Sequence, residues 1–456
     1  MGPKGISPHP QRMEKMESPT LVRALGRWSL TALVINSIIG SGIFGLPAIA
    51  AGYVGRWSPL AYLLAGAGAG IIMACFAEVA SQFREAGGPY LYAREAFGRF
   101  AGIEVGWLSW LGRLTAAAAG ADLFINYLAE FWAGAKAPGV RLALLALLIG
   151  GLGAVNVRGV KSGAAVSNTF TVAKLLPLAG FAIAGAAFVL LKPSAFPTPS
   201  PGGAPALRDW LIGVFVLQFA YGGFEGAVVP MSEARDPRRD APFALFTALL
   251  TTSFLFCTIQ AVVVAVLPAS AMTDRPLAAA ASQMWGRPGA KLIAAGALVS
   301  VFGYLSAQLL HLPRLTYALA ERGDFPSIFA RVHPRYRTPH ASILITAGII
   351  WALAAAGNFK WNVLLSVAGR VLIYACVCVS LPVLRRKHPT ASAYRLPAGD
   401  AFAAAGVLFV MALASQMSRS NWAVILVTMA VAFVNWLWVR RQTVGEAAPP
   451  NFSVDG

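Results

Sequence analysis

The chain alternates long apolar runs with short polar connections. A helix needs roughly 20 apolar residues to cross the hydrocarbon core of a bilayer. By that measure the pattern predicts about twelve segments: 28–54, 58–83, 101–129, 140–157, 164–191, 209–232, 241–267, 288–320, 340–356, 360–384, 401–417 and 420–439. The fourth, ninth and eleventh are short, and the eighth is long enough to tilt or to project beyond the membrane. The connection after the second segment runs from Glu85 to Gly98. Its Gly87-Gly88-Pro89 forces a turn, and an amphipathic stretch follows with Gly98 as a stop. It reads either as a short helix against one mouth of the bundle or as a plain connector.

Two segments break the pattern at mid-length. In the first, Gly40-Ser41-Gly42-Ile43-Phe44-Gly45-Leu46-Pro47 interrupts the apolar run. Glycine costs a helix about 1 kcal/mol and proline removes a backbone donor. A bilayer offers no water to replace the lost bonds. The stretch is therefore either a packing kink or a helix opened so that free N–H and C=O groups meet a ligand. The sixth segment repeats the anomaly at the same depth, with Tyr221-Gly222-Gly223-Phe224-Glu225-Gly226. Two five-helix repeats of opposite topology, each starting with a broken helix, produce this spacing.

Composition narrows the class. The 456 residues are 57% hydrophobic and 12% charged, against roughly 25% charged in soluble domains, so the chain reads as a polytopic, all-α membrane protein. The net charge of +18 invites a nucleic-acid reading, but its distribution argues against one. The tails and the loops after even-numbered segments hold about 24 positive residues and the opposite loops about 10. This bias makes both termini cytoplasmic and accounts for most of the net charge. Cys75, Cys257, Cys376 and Cys378 all lie in apolar segments and read as small buried hydrophobes. His9, His311, His333, His340 and His388 are scattered, with no His-x-x-x-His pair and no Gly-x-Ser-x-Gly. Membrane-enzyme chemistry, a resident metal and a cofactor therefore find no donor set. Residues 1–27 lack the short apolar core of a signal peptide.

Five charges stand out by their depth within the apolar segments: Arg113, Asp122, Lys174, Glu225 and Arg370. Such groups are costly in hydrocarbon and require partners or water. Arg113, Lys174, Glu225 and Arg370 sit near mid-depth, and Asp122 nearer the outer end. Glu225 is expected to pair with Arg113 or Arg370, as a structural ion pair or a gate.

At these residues the chain resembles the amino acid–polyamine–organocation superfamily of transporters. Gly40-Ser41-Gly42-Ile43-Phe44 with Leu46-Pro47 is similar to the family's first-helix motif, and Gly87-Gly88-Pro89-Tyr90 through Gly98 to its first cytoplasmic loop. Phe219–Glu225, with Glu233-Ala234-Arg235-Asp236-Pro237, resembles the sixth helix and its loop. Pro313-Arg314, Tyr317-Ala318-Leu319-Ala320 and Asp324-Phe325-Pro326 resemble the end of the eighth. The resemblance implies a LeuT-type 5+5 inverted repeat with broken helices 1 and 6 and two additional C-terminal helices. The repeats would be 28–191 and 209–384, followed by 401–441, between cytosolic tails 1–27 and 442–456.

The resemblance also implies a site. Gly40 and the N–H groups of Ser41, Gly42 and Ile43 would hold a substrate carboxylate. The carbonyls of Ile38, Phe219 and Gly222 would hold its ammonium. Tyr221, Phe224, Arg113, Ser306 and Arg370 would read the side chain. Lys174 resembles the fifth-helix lysine of sodium-independent relatives and is either a proton carrier or a fixed ammonium strut; Glu225 would share in proton coupling. The implied activity is secondary transport of an amino acid across the plasma membrane, by proton symport or exchange. An amine exchanger of the same fold and a non-transporting sensor are the alternatives. The implied partners are a small amino acid or amine, protons and the lipid bilayer.

Overall fold

The computed structural model describes residues 26–83, 87–159, 164–192, 203–227, 236–268, 272–389 and 394–445. The two chain ends, the 160–163 connection and the stretch holding Glu233-Ala234-Arg235 lie outside them. Every apolar segment is largely helical over its described part, the first and sixth being interrupted at 39–41 and 222–223. In order they are α1 (Arg27–Ile38), α2 (Gly42–Val54), α3 (Ser58–Ser81), α4 (Gly88–Phe97), α5 (Arg99–Leu128), α6 (Pro138–Arg158), α7 (Ala164–Leu191) and α8 (Leu207–Tyr221). Then follow α9 (Phe224–Ala227), α10 (Pro237–Val266), α11 (Pro276–Glu321), α12 (His340–Ala356), α13 (Phe359–Lys387), α14 (Gly399–Ala414) and α15 (Arg419–Gly445). Among the described residues seven helical stretches are long and apolar enough to cross a membrane, accompanied by the shorter apolar helices α12 and α14. α1 and α8, with 12 and 15 residues, are short because the first and sixth segments are broken.

Helix boundaries follow glycine and proline. Pro59, Pro89 and Pro138 stand in the first turns of α3, α4 and α6, where a missing N–H costs nothing. The eighth segment is longer than its apolar run predicts. It gains an arm beginning at Pro276, set off by Gly286, whose φ of 69° is left-handed. Of the two readings of the connection after the second segment, the short helix is the one found, as α4.

Close approach of small residues holds the bundle centre together. α5 packs on α13 with Gly112 facing Gly369, and Ser366 Oγ donates to the Gly112 carbonyl at 2.6 Å. α1 lies against α10 and α9, α2 against α8, and α7 against α11. α14 covers α13 and α3, and α15 flanks α5.

Ion pairs close both ends of the bundle. At the α4 end, the fully buried Asp324 carboxylate takes Arg94 Nη1 and Arg99 Nε, each at 2.7 Å, and the Tyr90 hydroxyl. Burial and the adjoining Asp324 charge raise the Tyr90 pKa above its ordinary value, only partly offset by Arg94, so the phenol stays a donor. Asn435 of α15 donates to the Asp324 carbonyl at 2.8 Å. Nearby, Glu78 binds Arg385 through both oxygens, at 2.6 and 2.7 Å, and accepts the Leu396 N–H at 2.8 Å. At the opposite end Arg141 reaches Asp122 and the Ala354 carbonyl, both at 2.5 Å. Asp324→Asn should therefore destabilise the fold. The arginines are 37% and 31% exposed, so the cost should be about 2 kcal/mol, below the ~3–5 of a wholly buried pair. An unchanged melting temperature in detergent would contradict this role.

Candidate functional site

The two helix breaks meet. α1 ends at Ile38, and Ile39 is extended with its N–H still on the Ile35 carbonyl at 2.9 Å. α2 begins at Gly42. Between them Ile39, Gly40 and Ser41 are unwound, so the carbonyls ending α1 and the N–H groups opening α2 fall outside a helical ladder. Ser41 Oγ is buried and, among the described residues, has no partner. In the sixth segment α8 stops at Tyr221; Gly222 is extended (φ −71°, ψ 166°) and Gly223 takes φ 103°. Glycine is required at Gly223, and at Gly222 a larger residue would have to displace the Arg370 guanidinium. A Cβ on Gly223 would overlap the Ser37 carbonyl oxygen, and one on Gly222 would lie 2.6 Å from Arg370 Cζ.

Charged side chains hold the breaks. Lys174 of α7 donates to the carbonyls of Asn36, at 2.5 Å, and Ile39, at 2.7 Å. Its ammonium thus meets the negative end of the α1 dipole. Glu225, in the first turn of α9, accepts the Gly223 N–H at 2.6 Å and the Tyr374 hydroxyl at 3.3 Å. Arg370 Nε stands 3.4 Å from the same carboxylate. The Arg370 guanidinium also lies 5.7 Å from the centre of the Phe219 ring, within cation–π range.

A cavity of about 580 Å³ opens between the breaks, bounded by α1, α5, α9, α11 and α13. Ile38, Gly40, Ser41, Gly42, Phe219 and Gly222 line it, as do Lys174, Glu225, Arg113 and Arg370. It extends toward the α4 end, where Gly87–Tyr90 and Leu319 form its wall. On the other side the Phe219 ring packs edge-on against Phe359, with centroids 6.4 Å apart.

Several expected side chains point elsewhere. Tyr221 donates its hydroxyl to the Tyr62 carbonyl at 2.8 Å and packs on Phe256. Phe224 stacks on Tyr374 and meets Phe76 edge-on. Both are 1% exposed and line no part of the cavity, so the expectation that they read a substrate side chain is corrected. The Ile43 side chain is likewise buried outside it, consistent with an expectation that concerned only its backbone N–H and a substrate carboxylate. Asp122 belongs to the pair with Arg141 and to Asn362 Nδ2 at 3.2 Å, remote from the mid-depth charges. Of the two partners expected for Glu225, Arg370 makes the ion pair. Tyr374 was missed, although it follows Arg370 by four residues and so shares its helix face. Tyr304, which packs on Gly40 and lines the cavity, carried no signal in the sequence.

An all-helical bundle with several membrane-length apolar helices and a polar cavity between two helix interruptions defines a multi-pass membrane protein of the transporter class. The chain belongs to the amino acid permease family, whose profile matches residues 25–440. Among similar proteins, the methylthioribose transporter of Bacillus subtilis is 26% identical, over 84% of this chain and 85% of its own. The serine/threonine exchanger of the same organism is also 26% identical, over 81% and 85%. The arginine/agmatine antiporter of Chlamydia abortus is 28% identical, over 77% and 76%.

Proposed function

We propose that this protein is a sodium-independent secondary transporter of amino acids that holds its substrate between the two helix breaks. Carrying this reading is the convergence of Gly40–Gly42 and Gly222–Gly223 on one cavity. A carboxylate at the N–H groups of Ser41, Gly42 and Ile43 gains unpaired donors and the positive end of the α2 dipole. The ammonium falls to the carbonyls of Ile38, Phe219 and Gly222. The unwound backbone thus binds what all amino acids share.

The architecture in this reading is a LeuT-type pair of inverted five-helix repeats, 28–191 and 209–384, with two further spans in 401–441, about twelve in all. Both termini face the cytoplasm, and the protein resides in the plasma membrane. With that orientation the cavity opens inward through the α4 end, while Phe219 and Phe359 close the outer side. Rocking of the broken helices against the rest would exchange the two accesses. Lys174 is the ammonium strut of α1, supported by its two carbonyl bonds. Glu225 is the acid available for proton coupling.

Uptake of labelled amino acids into proteoliposomes, with and without an imposed inward proton gradient, tests the coupling. Gradient-stimulated uptake supports symport. Uptake that requires internal amino acid and ignores the gradient supports exchange. No uptake under either condition contradicts transport.

A further inference from the structure

The charges lining the cavity do not cancel. Lys174 is committed to the end of α1, and Glu225 to Arg370, Tyr374 and the Gly223 N–H. Arg113 of α5 remains. Its guanidinium also lines the cavity, with Nη2 3.6 Å from where a Cβ on Gly226 would stand. Among the described residues Arg113 forms no ion pair, although Glu225 and Arg370 lie within electrostatic reach. One carboxylate therefore faces two guanidinium groups in a walled cavity, where charge is screened far less than in water. Ser41 and Ser300 add buried hydroxyls that line the same cavity without a partner among the described residues.

We propose that the site selects amino acids with an acidic side chain, whose second carboxylate pairs with Arg113. This rests on the transporter reading above. The backbone breaks engage the α-carboxylate and α-ammonium, which together carry no net charge. The side-chain carboxylate then supplies the missing negative charge and makes a charge-assisted hydrogen-bonded pair with the guanidinium, a geometry that suits arginine better than lysine. A neutral side chain leaves Arg113 to cavity water. A cationic substrate such as arginine, agmatine or a polyamine adds like charge and is disfavoured.

The test is thermal stabilisation of the purified full chain in detergent, titrated with L-glutamate, L-glutamine, L-aspartate, L-asparagine, L-arginine and agmatine. Each acid and its amide match in size and differ in charge. The expected result is half-saturation by the acids at concentrations about 10-fold or more below those of their amides, with the cations weakest. Arg113→Gln should erase the acid–amide difference, whereas Arg113→Lys should keep part of it. Should Arg113→Gln not fold, the wild-type pairs and Arg113→Lys decide. Amides binding as tightly as acids, or cations binding tighter, overturns the acidic selectivity and leaves amino acid transport standing. Stabilisation by none of the six overturns the acidic selectivity, and proteoliposome uptake then decides the transporter reading.

Discussion

Lys174→Ala should reduce amino acid uptake on the order of 100-fold. The substitution removes an ammonium that closes the end of α1 and leaves the Asn36 and Ile39 carbonyls without their donor. Hydrogen bonds to a charged group contribute about 1.5–3 kcal/mol each, and stranded buried acceptors add to the loss. Converted at 1.4 kcal/mol per tenfold, one such bond accounts for a factor of about 10–100. The experiment also separates the two roles open to this lysine. A strut fails in gradient-driven uptake and in counterflow alike, because the broken helix loses its shape. A proton carrier fails only in the gradient-driven mode. Unchanged uptake at every pH, with and without a gradient, would remove Lys174 from the mechanism.

Gly42→Leu should abolish substrate binding while the protein still folds. A Cβ at Gly42 already stands 3.1 Å from the Phe219 ring and 3.3 Å from both Ala220 Cα and Leu46 Cδ1. Leucine adds three further carbons at the first turn of α2. The N–H groups there are then screened from any carboxylate, and overpacking costs about 1–3 kcal/mol of stability. Ligand-induced thermal stabilisation should disappear, with the unliganded melting temperature only modestly lowered. Normal binding by this variant would mean that the break in the first segment is not the substrate cradle.

The breaks themselves were legible because glycine and proline at mid-membrane oppose the one structure a lipid-buried backbone tolerates. The Gly40–Gly42 and Gly222–Gly223 interruptions fall where that conflict predicts, and α4 falls between Gly87 and Gly98. Charge depth was legible for the same reason: Arg370 and Glu225 are too costly to bury unpaired. Orientation across a break was not legible. Helical periodicity carries a side chain's direction only while φ and ψ stay helical, and Gly223 at 103° re-aims everything after it. The side chain of Phe224, after that turn, therefore stacks on Tyr374 instead of facing the cavity, whereas that of Tyr221, the last residue of α8, follows its own helix toward Tyr62. Partners from other helices were equally hidden. Arg141 stands at the start of the fourth segment with no partner visible in the sequence, and only the fold brings it to Asp122 and the Ala354 carbonyl.

The measurement that bears most directly on an amino acid site between two broken helices is counterflow in proteoliposomes. Vesicles loaded with an excess of one unlabelled amino acid or amine, L-glutamate first and then each of a panel in turn, are diluted into a trace of the same compound labelled, with no ion gradient and no membrane potential. Transient accumulation of label above equilibrium is the predicted result, abolished by Gly42→Leu. If no amino acid or amine accumulates, or if Gly42→Leu accumulates label as the unaltered protein does, the account is wrong.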